Sequence, residues 1–481
     1  MREIRDSRAL VAIDLGAESC RISLLRWLGD EPEITMVHRI ANGPLQDGKH
    51  LYWPLERILT GVEEGLRKAA AAAPEGIRSI AVDGWAVDYV RLGANGKPVA
   101  APFCYRDERT LAAKIAADAL VSPDAFFAQT GAQPLRINTV YQLVADARAG
   151  HDTRMPWMLL PEYVLHWLGG RRVTEYTNAT HTGLVDLETG DWSRDLFERL
   201  GLALEAAPEI VHTGSRLGKL RGELASLPAF SDTELIAPAC HDTASAIAAI
   251  AGGMERTAYI VSGTWSLVGT VVEKPIHSNK ARRAGFTNQG AAAGGYCFHT
   301  NVNGMWLVKQ CLDHWCGEGR VIDIPTLIAG ASEIESIPGF IDVDAPELLL
   351  AGEMPARINA ELSCKDFPAI ADVAGNEAIF ARVIFASLAR RYAEVLRNLE
   401  SLCGSSFERI TILGGGSRNA LLRKLTEEST GLPVVIGEAE GSTLGNFAVQ
   451  LAALEDGDQA GQAFAERVQS WAARLALSDR L

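Results

Sequence analysis

Val11–Leu25 reads VAIDLGAESCRISLL, and Ala258–Val272 reads AYIVSGTWSLVGTVV. Each starts as a short apolar run, breaks at a polar turn containing glycine, and resumes as a second apolar run. That is the pattern of a β-hairpin packed on a core. Hairpins are common, but here the same device opens both halves of the chain, about 250 residues apart, and such a repeat signals a duplicated architecture. The pattern predicts two α/β domains, residues 1–245 and 246–481.

Outward from the first hairpin, Glu33–Val37 gives a third strand. Leu55–Ala72 carries apolar residues at helical spacing, and Ile77–Val82 forms a fourth strand ending at Asp83. Residues 108–205 read as mainly helical. Three strands, a helix and further strands are not the alternating rhythm of a doubly wound nucleotide fold. They resemble the ribonuclease-H-like unit. In the second half, a helix over 376–402 precedes a strand at Arg409–Leu413, which enters Gly414-Gly415-Gly416-Ser417-Arg418-Asn419 before a helix from about Ala420. Strand, glycine turn and helix start suit either an anion or nucleotide site or a plain tight turn.

The 481 residues include 46 basic and 60 acidic side chains, net −14. That balance argues against a nucleic-acid or anionic-membrane partner, both of which want a basic face. No apolar run reaches the roughly 18 residues of a membrane span, and the eight cysteines lack regular spacing. A cytoplasmic location is therefore expected. Cys311, His314 and Cys316 are close in sequence, but no second ligand pair follows at zinc-site spacing, so a structural role is favoured. The sequence does not choose between monomer and homodimer.

No G-x-x-x-x-G-K-[ST], no G-x-G-x-x-G after the first strand and no G-x-S-x-G occurs. Walker-type ATPases, Rossmann dehydrogenases and nucleophile-elbow hydrolases are thereby disfavoured. The two hairpin turns instead offer backbone N–H groups and small hydroxyls where phosphate could be cradled. Asp14, at the end of the first strand, suits Mg²⁺ held through water. At the junction of the halves stands CHDTASA, Cys240–Ala246. Its Asp242 reads either as a helix N-cap or as the carboxylate that accepts a substrate proton.

Assembled, these stretches resemble the FGGY carbohydrate kinases, and within them the rhamnulokinase group, over nearly the whole chain. AIDLGAESCR, IAVDGWAVDYV, YRDERT, RINTVYQL, EYTNATHTGLVD, CHDTASA, SGTWSLVG and LGGGSRNALLRKLTEESTGLPV with EGSTLGN occur in family order. The resemblance implies an α/β fold of two ribonuclease-H-like, actin/hexokinase-type domains closing over MgATP and a ketose such as L-rhamnulose. L-fuculose and L-xylulose are alternative ketoses, and a non-catalytic sugar- and ATP-binding regulator is the alternative from another class. It further implies Asp242 as general base, and Trp85, Ala86, Asp88, Arg106, His241, Thr243 and Asn301 as sugar contacts. Ala17, Glu18, Ser19, Cys20, Arg21, Thr264, Lys309, Gly415, Gly416 and Asn419 would contact ATP, with Asp14 toward Mg²⁺. Glu18 and Cys20 depart from the family's usual Asp-Leu-Gly-Ala-Ser-Ser-Gly-Arg loop. Gly84 and Ala86 depart from its Thr-Trp-Gly-Val-Asp, and Lys309 stands where Gln is expected.

Overall fold

The computed structural model describes residues 6–250, 253–455 and 461–478. Strands β1 (Ala9–Leu15), β2 (Ser19–Leu28) and β3 (Glu31–Ala41) form an antiparallel meander. Helix α1 (Leu55–Ala72) then returns the chain as β4 (Ile77–Gly84), parallel to β1. With β5 (Arg216–Lys219) and β6 (Glu234–Ile236) the sheet order is β5-β6-β4-β1-β2-β3. The second sheet comprises β7 (Thr257–Ser262), β8 (Trp265–Val272), β9 (Thr287–Gly290), β10 (Tyr296–Asn303), β11 (Arg409–Leu413) and β12 (Val434–Ile436), in the order β9-β10-β8-β7-β11-β12. Without the edge strands β5 and β9, both sheets run third, second, first, fourth, fifth. The two-domain α/β architecture is thus built twice from one plan.

Strand alternation explains the layers. Ala9, Val11, Ile13 and Leu15 face Ile58, Val62 and Leu66 of α1. Leu10 and Ala12, on the opposite face, meet Phe447 and Leu451 of α6 (Gly441–Leu454) and Phe464 and Leu475 of α7 (Gly461–Ser478). Because both faces are covered, β1 reads as an unbroken apolar run. The second sheet is packed by α4 (Glu377–Cys403) and α5 (Ala420–Thr430).

Two helices lie between the sheets. α2 (Asp242–Ala248) sets Ile247 against Tyr259 and Leu413, while α6 covers the first sheet. They touch at backbone distance: a Cβ on Gly445 would sit 1.8 Å from the Ser245 carbonyl oxygen. The division expected after residue 245 lies inside α2, and α6, late in the sequence, packs on the first sheet.

A largely helical insert, including Thr110–Leu120, Pro123–Thr130 and Thr139–Arg148, has its own core around Phe126, Tyr141 and Phe197, while Leu160–Trp167 sets Leu160, Val164 and Leu165 into the first core. The insert reaches the second sheet, where Gly290 N donates to Thr180 Oγ1 at 2.9 Å. Among the described residues no helix is long and apolar enough to cross a membrane. The eight cysteines are free. Cys311 is buried in the second core and Cys316 is exposed, while His314 instead neighbours Glu318 and Asp372. The Arg320 guanidinium already occupies that acidic group, 2.8 Å from Asp372 Oδ1.

Candidate active site

The carboxyl ends of β1, β4 and β6 meet at one place, the edge of an open α/β sheet where ligands bind. Asp14 stands in register with Asp83, and Gly84 bridges to His241 just ahead of α2. Asp14 is 2% exposed, and its Oδ2 accepts from Arg21 Nη2 at 3.0 Å and from Ser442 Oγ at 2.6 Å. Asp83 has no exposed surface. Its Oδ2 accepts from Asn446 Nδ2 at 2.6 Å, and its buried Oδ1 has no partner.

Asp242 differs, with a side chain 35% exposed. Its Oδ1 accepts from Thr243 N at 2.5 Å and Thr243 Oγ1 at 3.2 Å, and His241 Nε2 lies 3.4 Å away. Desolvation pushes the Asp242 carboxyl up to about 6. Burial also raises Asp14 and Asp83, and the charge of Asp242 adds to both, with Arg21 opposing. The capping reading of Asp242 is corrected here: His241 occupies the cap position, and the Asp242 carboxylate bonds only to its sequence neighbour.

Buried carboxylates from the insert hold this segment in place. Glu175 Oε2 accepts from Cys240 N at 2.9 Å and Thr177 Oγ1 at 2.5 Å, and Thr177 Oγ1 in turn accepts from His241 N at 3.3 Å. Glu162, raised to about 7 by burial, accepts from Glu175 N and Asn178 Nδ2. The EYTN motif therefore positions the backbone that carries Asp242.

On the expected sugar side, Trp85 and Ala86 line the loop after β4. Val87 there has φ 71°, a costly conformation for a β-branched residue. Thr139 Oγ1 at 2.7 Å and Gln142 Nε2 at 3.2 Å both donate to its carbonyl, which is what the NTVYQ stretch contributes. A Cβ on Gly84 would meet Leu15 O at 2.8 Å, so the hydroxyl-bearing residue of the family pattern does not fit this backbone. Asp88 has no exposed surface and accepts from Trp53 Nε1, Trp85 Nε1, Tyr105 N and Gln142 Nε2. With both oxygens engaged, Asp88 orients the two tryptophans and is not placed to touch a ligand directly. Arg106 is exposed, 5.4 Å over the Tyr105 ring, and feels the charge of Glu18. Thr243 bonds Asp242, and Asn301 is exposed on β10.

On the expected nucleotide side, Ala17 and Ser19 are half-buried in the β1–β2 turn and Glu18 is exposed. Cys20 is fully buried in the first core, its Sγ donating to the Gly16 carbonyl oxygen at 3.8 Å, and burial pushes its thiol up to about 12. Arg21 is taken up by Asp14 and by Glu440, whose Oε2 lies 2.6 Å from Nη1. Thr264 is half-buried in the β7–β8 turn. The glycine turn packs against that second hairpin: a Cβ on Gly416 would meet Ser262 Oγ at 2.0 Å. Asn419 caps α5, its Oδ1 accepting from Leu422 N, while its Nδ2 and Ser417 Oγ are buried without partners. Lys309, on α3 (Trp306–Gly317), pairs with Asp313 at 2.8 Å on the surface. Unpaired donors beside the glycine turn, and the clustered carboxylates of Asp14 and Asp83, fit a nucleotide phosphate chain and a hydrated divalent cation.

The sequence reading did not place Asp83, Ser442 or Asn446 here, nor Gln450, whose Nε2 donates to Asn446 Oδ1 at 2.7 Å. Asp83 had a signal, because it ends a strand as Asp14 does. Ser442 and Asn446 lie in the EGSTLGN motif, which pointed to the family without giving them a role; tertiary packing brings them to Asp14 and Asp83.

Residues 9–249 match the model of the N-terminal domain, and residues 258–454 that of the C-terminal domain, of the FGGY family of carbohydrate kinases. Among solved structures, a ligand-bound xylulose kinase from Lactobacillus acidophilus is similar, with a TM-score of 0.77 at 16% identity, covering 98% of this chain and 97% of that one. A gluconate kinase from the same organism gives 0.75 at 16% identity, with 98% and 97% covered. A glycerol kinase with ADP from Plasmodium falciparum gives 0.75 at 13% identity, with 98% and 94% covered.

Proposed function

The chain belongs to the FGGY family of carbohydrate kinases, and from that premise we propose that it phosphorylates a ketose, L-rhamnulose, with ATP to give the 1-phosphate and ADP. In this reading residues 1–245 hold the sugar and supply the first phosphate loop, and 246–481 hold the nucleotide. The observation that carries it is the contrast among three clustered carboxylates: Asp14 and Asp83 are buried, while the side chain of Asp242 is 35% exposed.

Phosphoryl transfer to an alcohol needs positioning, charge stabilisation and one acceptor for the hydroxyl proton. Asp242 takes that proton as the sugar oxygen bonds to the γ-phosphorus and the bond to the ADP oxygen breaks. His241, kept neutral by burial that lowers it to about 3, adds no competing positive charge beside the base. Backbone N–H groups of the two hairpin turns meet phosphate oxygens. Magnesium accompanying ATP would offset the phosphate charge, with Asp14 holding it through water.

Because Asp242 must be ionised to accept a proton, kcat/KM should fall as pH drops through about 6. A flat profile between pH 5 and 7 (roughly one unit either side of that value) would remove Asp242 as the base. Substrate identity is tested by ADP release with Mg²⁺ across L-rhamnulose, L-fuculose and L-xylulose. The highest kcat/KM is expected for L-rhamnulose. A higher value for another ketose reassigns the substrate, and no sugar-dependent release overturns the transfer reading in favour of a binding module.

A further inference from the structure

Beside Asp242 stands a group of histidines that the proton-transfer chemistry does not use. His181, from the insert, has its ring centroid 3.8 Å from that of His241, the residue preceding Asp242. His299 lies on β10, two positions before Asn301 and so on the same strand face. Gln289, on neighbouring β9, meets His181 Nδ1 at 2.9 Å through Nε2. Tyr259 OH meets His299 Nδ1 at 2.8 Å.

Each ring thus has one nitrogen satisfied. His181 Nε2, His299 Nε2 and Gln289 Oε1 are all buried and have no partner. His181 is 8% exposed and His299 1%. Reversing the Gln289 amide exchanges donor and acceptor but still leaves one atom on each residue unpaired. Native interiors leave few such atoms, since each costs about 1–3 kcal/mol when nothing bonds to it. Here three fall on His181, which packs on His241 beside Asp242, on Gln289, which bonds it, and on His299, diagonal to Gln289 across the paired strands β9 and β10.

We propose that His181, His299 and Gln289 form a hydroxyl-binding subsite, contributed partly from the second sheet, that grips an uncharged sugar beside Asp242. This rests on the sugar-kinase reading and adds to it the residues that select the sugar. A hydroxyl is the matching group, because it accepts from an imidazole N–H and donates to an amide oxygen with one atom. A carboxylate is a poor match. Burial keeps His241 and His299 near 3 and lowers His181 well below its ordinary value, so the rings offer no positive charge. A metal is a poor match too: among the described residues, the group whose ligand atoms converge is His314, Glu318 and Asp372, not this one.

The test is ketose affinity in His181→Phe and His299→Phe, which keep a planar ring and remove the nitrogens. Calorimetric Kd without nucleotide and steady-state KM should both rise about ten-fold in each. KM for ATP and kcat should stay within about three-fold, and His181→Gln, which retains a polar group, should recover part of the loss. Should either ring variant fail to fold, Gln289→Met reads the same subsite from its more open edge. Unchanged ketose affinity in folded variants of an active enzyme overturns the subsite and leaves the kinase reading standing. A wild-type protein that binds no ketose removes both.

Discussion

Replacing Asp242 by Asn should lower kcat for sugar-dependent ADP formation by two to four orders of magnitude, roughly the contribution of a positioned general base. The change is nearly isosteric, and the amide retains an oxygen that can accept from Thr243 N and Oγ1, so the start of α2 should persist. What is lost is the acceptor for the hydroxyl proton. Neither neighbouring carboxylate can substitute: Asp14 is tied to Arg21 and Ser442, and Asp83 lies wholly inside, bonded by Asn446. Ketose and ATP affinities should change little, so the fall belongs in kcat. Measured kcat within ten-fold of wild type would place the proton elsewhere.

The second large effect is expected far from any reacting atom. Gly445→Ala places a methyl group 1.8 Å from the Ser245 carbonyl oxygen, a backbone atom that cannot rotate aside. The two helices must separate, at a cost near or above the upper end of the 1–3 kcal/mol typical of overpacking. Function should suffer as well, because these are the helices that carry the site. α2 begins at Asp242, and Ser442 and Asn446 of α6 hold Asp14 and Asp83. Gly441→Ala is the internal control: its Cβ would meet Ala246 at 3.4 Å, ordinary contact, and should be tolerated. Denaturant midpoints and kcat for the two variants decide the matter. Equal stability of both would show that α2 and α6 do not meet at this distance.

The contrast between those predictions mirrors what the sequence could reveal. The hairpin device, the strand ends at Asp14 and Leu413 and the glycine turn depend on residues within a few positions of one another, and pattern alone locates them. Asp88 shows the opposite case. As an acid in a motif it reads as a ligand contact, yet its donors come from Trp53, Trp85, Tyr105 and Gln142, brought together by folding. Cys20 was readable in principle. Strand alternation puts Cys20, Ile22 and Leu24 on one face, and all three are buried. Treating Cys20 as part of a loop overlooked that period. The return of α6 to the first sheet has no local signature, because its apolar face would suit either sheet. Val87 likewise gives no warning of its positive φ, which Thr139 and Gln142 sustain from across the insert.

The central claim is that the chain moves a phosphoryl group from ATP to a sugar hydroxyl across the cleft beside Asp242. Phosphorus NMR of the wild-type protein with ketose and MgATP addresses it directly, because it shows where the phosphorus goes. A new phosphomonoester resonance is expected, growing in step with ADP and absent without sugar. ADP accompanied by inorganic phosphate, with no sugar ester, would contradict it.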